Sequence, residues 1–302
     1  MKLLVIGHSV EDHITENGID KIKPGGIFYT AIALNQFVAA DDLICLNTAV
    51  QKENYNLFAD VYKSFDKSFI KFVDRIPKVY LTLHDFKERG ETYESISQGL
   101  NIDIESLGSF DGILINMITG FDVSLDQLQA LRKNYSGLIY IDIHTLARGL
   151  DENLKREFRP VPKFNEWASS VDIIQANESE LKTLSALHEE LDIAAEILNY
   201  GAKIFIVTKG SLGARLYCKK GNEIISTFRS AVKIKTKNMV SLSGRQVGCG
   251  DVFGAVFFYH YIKTKNVDES LSLANLAAGC SASYKEISDF KDLKKDVLQR
   301  FN

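Results

Sequence analysis

Gly248-Cys249-Gly250-Asp251 sets two glycines and a carboxylate directly before an apolar run that reads as a helix. Glycines let a backbone approach an anion closely and expose its N–H groups. The start of a helix adds a partial positive charge of roughly half a unit. A carboxylate at that entrance stays ionised and, set against a hydroxyl, could act as a general base, an effect of ~10²–10⁴ in rate. Phosphoryl transfer to an alcohol needs these parts: donors spread over several oxygens, a field that offsets developing charge, and a base. The same residues also read as an ordinary loop in which Asp251 is only an N-cap. The apolar helix behind them weighs toward the buried, chemical use. No GxxxxGK[ST] pattern occurs, so this is not a Walker A loop.

Other constellations surround this one in the chain. Asn177-Glu178-Ser179-Glu180 follows an apolar run and reads as a helix start with acidic residues in its first turn. Val207-Thr208-Lys209-Gly210-Ser211-Leu212-Gly213-Ala214 fits a tight hairpin turn. Pro24-Gly25-Gly26 precedes a helical pattern, and its glycines would let a small polyol approach the backbone. Asp12 could accept two hydroxyl hydrogen bonds at once, or be a solvated loop charge. Arg148, in Asp142-Ile143-His144-Thr145-Leu146-Ala147-Arg148, suits a phosphate or an acidic group. Phe28, Tyr29 and Tyr80 could stack on a ligand or belong to the core. The six histidines show no metal-ligand spacing.

These residues need a scaffold. Continuous apolar runs at 3–6, 112–116, 138–143, 171–175 and 203–208 read as buried strands. Helical patterns at 27–39, 125–133, 178–188 and 193–200 alternate with them, followed by helices at 252–263, 270–284 and 291–301. That alternation predicts a three-layer α/β/α sandwich around a mostly parallel sheet. The helix from 252 is apolar nearly all round and should be buried. Residues 79–86 and 91–97 alternate around Lys87-Glu88-Arg89-Gly90 and read as a hairpin. With the extended stretch 11–23 they suggest a small β lid from about 11–23 and 77–98, on a single domain spanning 1–302. Closing such a lid would exclude water during transfer.

Composition narrows the classes. The net charge of -3 argues against a nucleic-acid binder. No apolar stretch is long enough for a membrane span, and the apolar N-terminal run meets Glu11 and Asp12 too soon for a signal peptide. The four cysteines form no CxxC pair, which suits a reducing, cytoplasmic location.

At Gly248 to Asp251 the chain resembles the ribokinase-like (PfkB) carbohydrate kinases, whose signature is commonly written DTxGAGD, and the resemblance extends over nearly the whole chain. The resemblance implies that the amides of Val247, Gly248, Cys249 and Gly250 form an anion hole and that Asp251 is the catalytic base. It implies ATP as donor, with Asn177, Thr208, Gly210, Gly213 and Asn275 near it. Glu180, through water, and Asn177 would position magnesium. Asp12, Gly25, Gly26 and Thr30 would hold a sugar, polyol or nucleoside acceptor. Arg245 and Gln246 depart from the signature, in which an Asp often helps hold a monovalent cation; the Arg245 guanidinium is expected to replace that cation. His144 and Thr30 also stand where the family often has Asn. A nucleoside kinase of the same fold, and a degenerate ligand-binding or regulatory protein, are the alternatives. Pairing of two lids in a homodimer is a further expectation.

Overall fold

The protein's computed structural model describes residues 1–16, 19–82, 90–96, 98–232 and 247–301. The chain begins with β1 (Lys2–Ile6), β2 (Ser9–Glu16), β3 (Ile19–Gly26) and α1 (Phe28–Phe37). It continues through β4 (Leu43–Gln51), α2 (Asn56–Tyr62), β5 (Ile70–Val73), β6 (Lys78–Thr82) and β7 (Gly90–Tyr93). Next come β8 (Gly112–Asn116), α3 (Leu125–Asn134), β9 (Leu138–Asp142), β10 (Arg148–Leu150), β11 (Arg156–Phe158) and α4 (Phe164–Ser169). Then follow β12 (Ile173–Asn177), α5 (Glu178–Leu181), α6 (Glu190–Tyr200), β13 (Ile204–Thr208), β14 (Gly213–Lys220) and β15 (Glu223–Ser230). Three helices close the chain: α7 (Cys249–Thr264), α8 (Val267–Ser283) and α9 (Leu293–Phe301).

Nine strands form the main sheet in the order β15-β14-β13-β12-β9-β8-β1-β4-β5. From β13 to β5 all neighbours are parallel; β14 and β15 are antiparallel additions. Successive side chains of a strand face opposite sides. Leu3 and Val5 therefore join one buried cluster with α1, α7 and α8, while Leu4 and Ile6 join another with α3, α4 and α6. Both faces are covered, which is why these strands are apolar throughout. The expected three-layer sandwich is the observed one.

The strand order reverses at β1, which lies between β8 and β4. In open α/β sheets ligands bind outside the carboxyl ends of strands at such a point. Among the described residues no helix is long and apolar enough to cross a membrane.

A second sheet, β3-β2-β6-β7, stands at the end of the first. Its two faces differ. Val10, Asp12, Val79, Leu81, Glu91 and Tyr93 are buried on one, while Ile22 and Tyr80 are exposed in the same row as His13 on the other. The 79–86 and 91–97 hairpin is present as β6 and β7, paired from Val79↔Tyr93 to Thr82↔Gly90; its turn, 83–89, lies outside the described residues, as does residue 97. The sheet also begins earlier than position 11, since β2 starts at Ser9.

Two differences from the sequence reading stand out. The helix expected over 178–188 ends after one turn. Thr183 closes it by donating both its N–H and its hydroxyl to Glu180 O, and the Ser185 hydroxyl then accepts from Leu187 N–H. Strand β4 and the β14–β15 hairpin were not among the expected strands. The helix from 252 is buried as expected, from Val252 through Tyr259, and starts at Cys249. Each of its phenylalanines removed from water contributes roughly 1.5–3 kcal/mol.

Candidate active site

Several polar residues of the candidate site hang from the carboxyl ends of adjacent parallel strands. β8 ends at Asn116, β9 at Asp142 and β12 at Asn177, and Asn177 pairs in register with Thr208 at the end of β13. α7 points its N-terminus at this edge. Gly248 is its N-cap, and Asp251 is the third residue of the helix. The Asp251 carboxylate therefore is not the N-cap that the plain-loop reading required. Asn116 Nδ2 donates to Asp251 Oδ1 at 2.7 Å.

The first turn of any helix leaves its leading N–H groups without helical partners. Here those amides belong to the glycine turn. Gly248 is in the left-handed region (φ 81°), and a Cβ there would fall within the Tyr29 ring. Only glycine satisfies both demands. Gln175 braces the turn from beneath. Its Nε2 donates to Gly250 O at 3.1 Å and to Asp142 Oδ2 at 2.9 Å, while Tyr140 Oη donates to Gln175 Oε1. Cys249 Sγ accepts from the Ser281 hydroxyl at 3.6 Å.

A cleft between the glycine turn and the small sheet is lined by Val10, Asp12, Gly26, Tyr29, Val79, Leu81, Glu91, Tyr93, Ile118, His144, Val247, Gly248 and Asp251. Asp12, Gly26, Gly248 and Asp251, more than two hundred positions apart at the extremes, thus meet in one place. Gly25 presses on the Asp12 carboxylate, and a Cβ there would collide with it. Glu91 adds a second buried carboxylate to the cleft, with Arg148 Nη1 at 3.6 Å from it. His144, also in the left-handed region (φ 33°), closes one side. Tyr29 lines the cleft, but Phe28 packs in the core against Phe58 and Tyr62, and Tyr80 lies on the opposite face of the small sheet.

Other expected residues fall elsewhere or take structural partners. Thr30 is fully buried on α1, outside the cleft lining, and among the described residues its hydroxyl has no hydrogen-bond partner. Asn177 and Glu180 form a capping box. Asn177 Oδ1 accepts from the N–H groups of Ser179 and Glu180, and Glu180 accepts from Asn177 N and Nδ2, each at 2.8 Å. Asn275 Nδ2 donates to Ser230 O at 2.7 Å, tying α8 to β15. Thr208, Gly210 and Gly213 lie at the β13–β14 turn. Arg245 and Gln246 lie outside the described residues.

The carboxylates carry an unbalanced field. Burial, then Glu180 and Asp251, push Asp142 well above the usual carboxylate range. Among the described residues no three His, Cys, Asp or Glu side chains are arranged to enclose a metal ion. The acidic group fits a hydrated divalent cation held at one remove, as magnesium commonly is, and not a direct protein cage.

Sequence reasoning passed over Asn116, Gln175 and Glu91 as site residues. Asn116 and Gln175 had a signal, a polar side chain at or near the end of a mostly apolar strand, whereas Glu91 lies in the short and mostly polar β7 and had none. Buried polar groups of that kind need partners, and here the partners are the site.

The profile of pfkB family carbohydrate kinases matches residues 142–292, half of the chain. Ribokinase of Arabidopsis thaliana is 27% identical over 145 residues, covering 46% of this chain and 35% of that protein, about a third of its length. A pyrophosphate-dependent kinase in the ribokinase family, solved as a sulfate complex, superposes with TM-score 0.77 at 15% identity over 97% of this chain and 99% of that one. Arabidopsis thaliana ribokinase complexed with ribose and ATP superposes with TM-score 0.72 at 17% identity over 100% and 98% of the two chains. These structural likenesses establish the fold.

Proposed function

The chain belongs to the pfkB family of carbohydrate kinases, and from that premise we propose that it transfers a phosphoryl group to a hydroxyl of a sugar or polyol, with Asp251 as general base. One observation carries the reading: Asp251, at the mouth of α7, shares a cleft with Asp12 and the glycine turn. The acceptor hydroxyl would give its proton to Asp251 as its oxygen bonds to the donor's terminal phosphorus, while the bond from that phosphorus to its bridging oxygen breaks and releases ADP from ATP, or orthophosphate from pyrophosphate. The amides of the 247–250 turn would receive the transferred group's oxygens, where the helix field favours negative charge. Asp12 would accept from further acceptor hydroxyls. The cleft interior amounts to about 30 Å³, far below the few hundred that hold a small molecule. The small sheet would therefore swing away to admit the acceptor and close over it as a lid.

Glu180 and Asn177 would position a hydrated magnesium ion, which when bound would offset phosphate charge. Arg245 would supply the charge that a monovalent cation could otherwise give, so turnover should not depend on potassium. The chain would act as a single domain, and the exposed Ile22 and Tyr80 face suits contact with the lid of a second copy.

ATP is the proposed donor. Asn275 favours a second reading. Its amide is already engaged with β15, and two solved structures of similar shape are of a pyrophosphate-dependent kinase in the ribokinase family. The deciding experiment follows phosphorylated product with magnesium-ATP and with magnesium-pyrophosphate across sugars, polyols and nucleosides. Acceptor-dependent turnover that falls ~10²–10⁴-fold in Asp251→Asn supports the assignment of the base. Turnover on nucleosides alone would make it a nucleoside kinase. A folded protein inactive with every combination would instead be a ligand-binding relative.

A further inference from the structure

Beside the cleft lies a second cavity that the transfer chemistry does not use. It has a volume of about 240 Å³ and is walled by Arg156, Arg159, Arg148, Lys163, Thr145 and Trp167, among others. Four cationic side chains around one concave space form an unusual grouping in a chain of net charge -3.

Arg156 is the most telling of them. It is only 8% exposed. Its guanidinium donates to Arg148 O at 3.1 Å and to Thr119 O, and stacks on the Tyr93 ring at 4.4 Å. Its Nε has no hydrogen-bond partner, and no carboxylate pairs with it among the described residues. Burying a charge without a counter-charge costs several kcal/mol, and an anion beside Arg156 would offset that cost. Arg159 is exposed, and Lys163 has Glu166 at 3.3 Å. Trp167 and the aliphatic walls add an apolar surface.

We propose that this cavity is a binding site for a small organic phosphate, whose oxygens meet Arg156 and Arg159 and whose apolar body lies against Trp167. Guanidinium groups bind phosphate with paired, charge-assisted hydrogen bonds. The site is joined to the cleft by short covalent and ionic links. Thr145 walls the cavity while its neighbour His144 lines the cleft, and Arg148 walls the cavity while reaching Glu91 across the cleft. An occupant would therefore bias the small sheet through Glu91.

Trp167 is the chain's single tryptophan, so its emission reports on this cavity and not on the glycine turn. The full-length protein would be titrated with phenyl phosphate, inorganic phosphate and, as a carboxylate control, benzoate. The expected result is a saturable change in Trp167 emission with phenyl phosphate, weakened roughly tenfold or more in Arg159→Gln. Because Arg159 is exposed, that variant should keep the wild-type melting temperature and basal turnover. Arg156→Lys, which keeps the charge but not the fork, should weaken the change as well. A stronger response to benzoate would overturn the phosphate assignment. Absence of any saturable change, or an identical one in Arg159→Gln, would overturn the site.

Discussion

Asn116 at the end of β8 donates its Nδ2 hydrogen to Asp251 Oδ1, at 2.7 Å, across the gap between the sheet and the mouth of α7. This contact orients the carboxylate that faces the cleft.

Replacing Asn116 therefore tests the base without removing it. Asn116→Ala should lower kcat roughly tenfold to a hundredfold, the usual cost of losing an orienting partner. Asn116→Asp replaces the donor with a carboxylate that repels Asp251, so kcat should fall at least as far as in Asn116→Ala. Wild-type kcat in both variants would mean that Asp251 needs no such partner.

Gly248→Ala tests the turn. Holding alanine at φ 81° costs about 1–3 kcal/mol, and the new methyl would displace Tyr29. The melting temperature should fall and turnover should fall with it. Wild-type turnover in this variant would show that the backbone there need not approach the phosphate.

Asp12 and Thr30 should separate cleanly. Asp12→Asn is expected to raise the acceptor KM about tenfold, consistent with loss of a charge-assisted hydrogen bond. Thr30→Val should leave KM unchanged. It should also raise the melting temperature, because an unpartnered buried hydroxyl costs about 1–3 kcal/mol. Steady-state kinetics and thermal melts on both variants check this.

Asp142 gives the protein a pH signature. Its folded pKa is raised by burial first, then by Glu180 and Asp251. The folded state thus keeps a proton that the unfolded state loses above about pH 4. Stability should be unaffected below that value and should fall as pH rises toward the folded pKa. Asp142→Asn removes the titration. The variant and wild type should melt alike near pH 4, and the variant should melt higher near neutrality. Parallel melting curves across pH would refute the raised pKa.

The framework was readable because periodicity reports burial. β8, at Gly112 to Asn116, is buried at every residue, and its sequence is apolar until its final Asn. The glycine turn was readable because its glycines, carboxylate and following apolar run are contiguous, and at Gly248 the backbone and Tyr29 leave room for glycine alone. The supporting residues were harder. Gln175 acts only through Tyr140, Asp142 and Gly250, which are distant in sequence. Nothing local marks such a partner. Asn177 and Glu180 illustrate the opposite difficulty, since the spacing that suggests metal positioning is also that of the capping box they form. The short α5 was misjudged because Thr183 and Ser185 compete with helical hydrogen bonds, an effect apolar patterning does not register.

The contact between Asn116 and Asp251 spans 135 positions. The candidate chemistry is thus spread across both halves of the molecule, and neither half alone contains it. Contacts so distant are entropically slow to close. Catalytic competence should consequently be among the last properties gained on refolding from denaturant. An activity assay on this protein is then a sensor of global foldedness, able to report when the two halves have found each other.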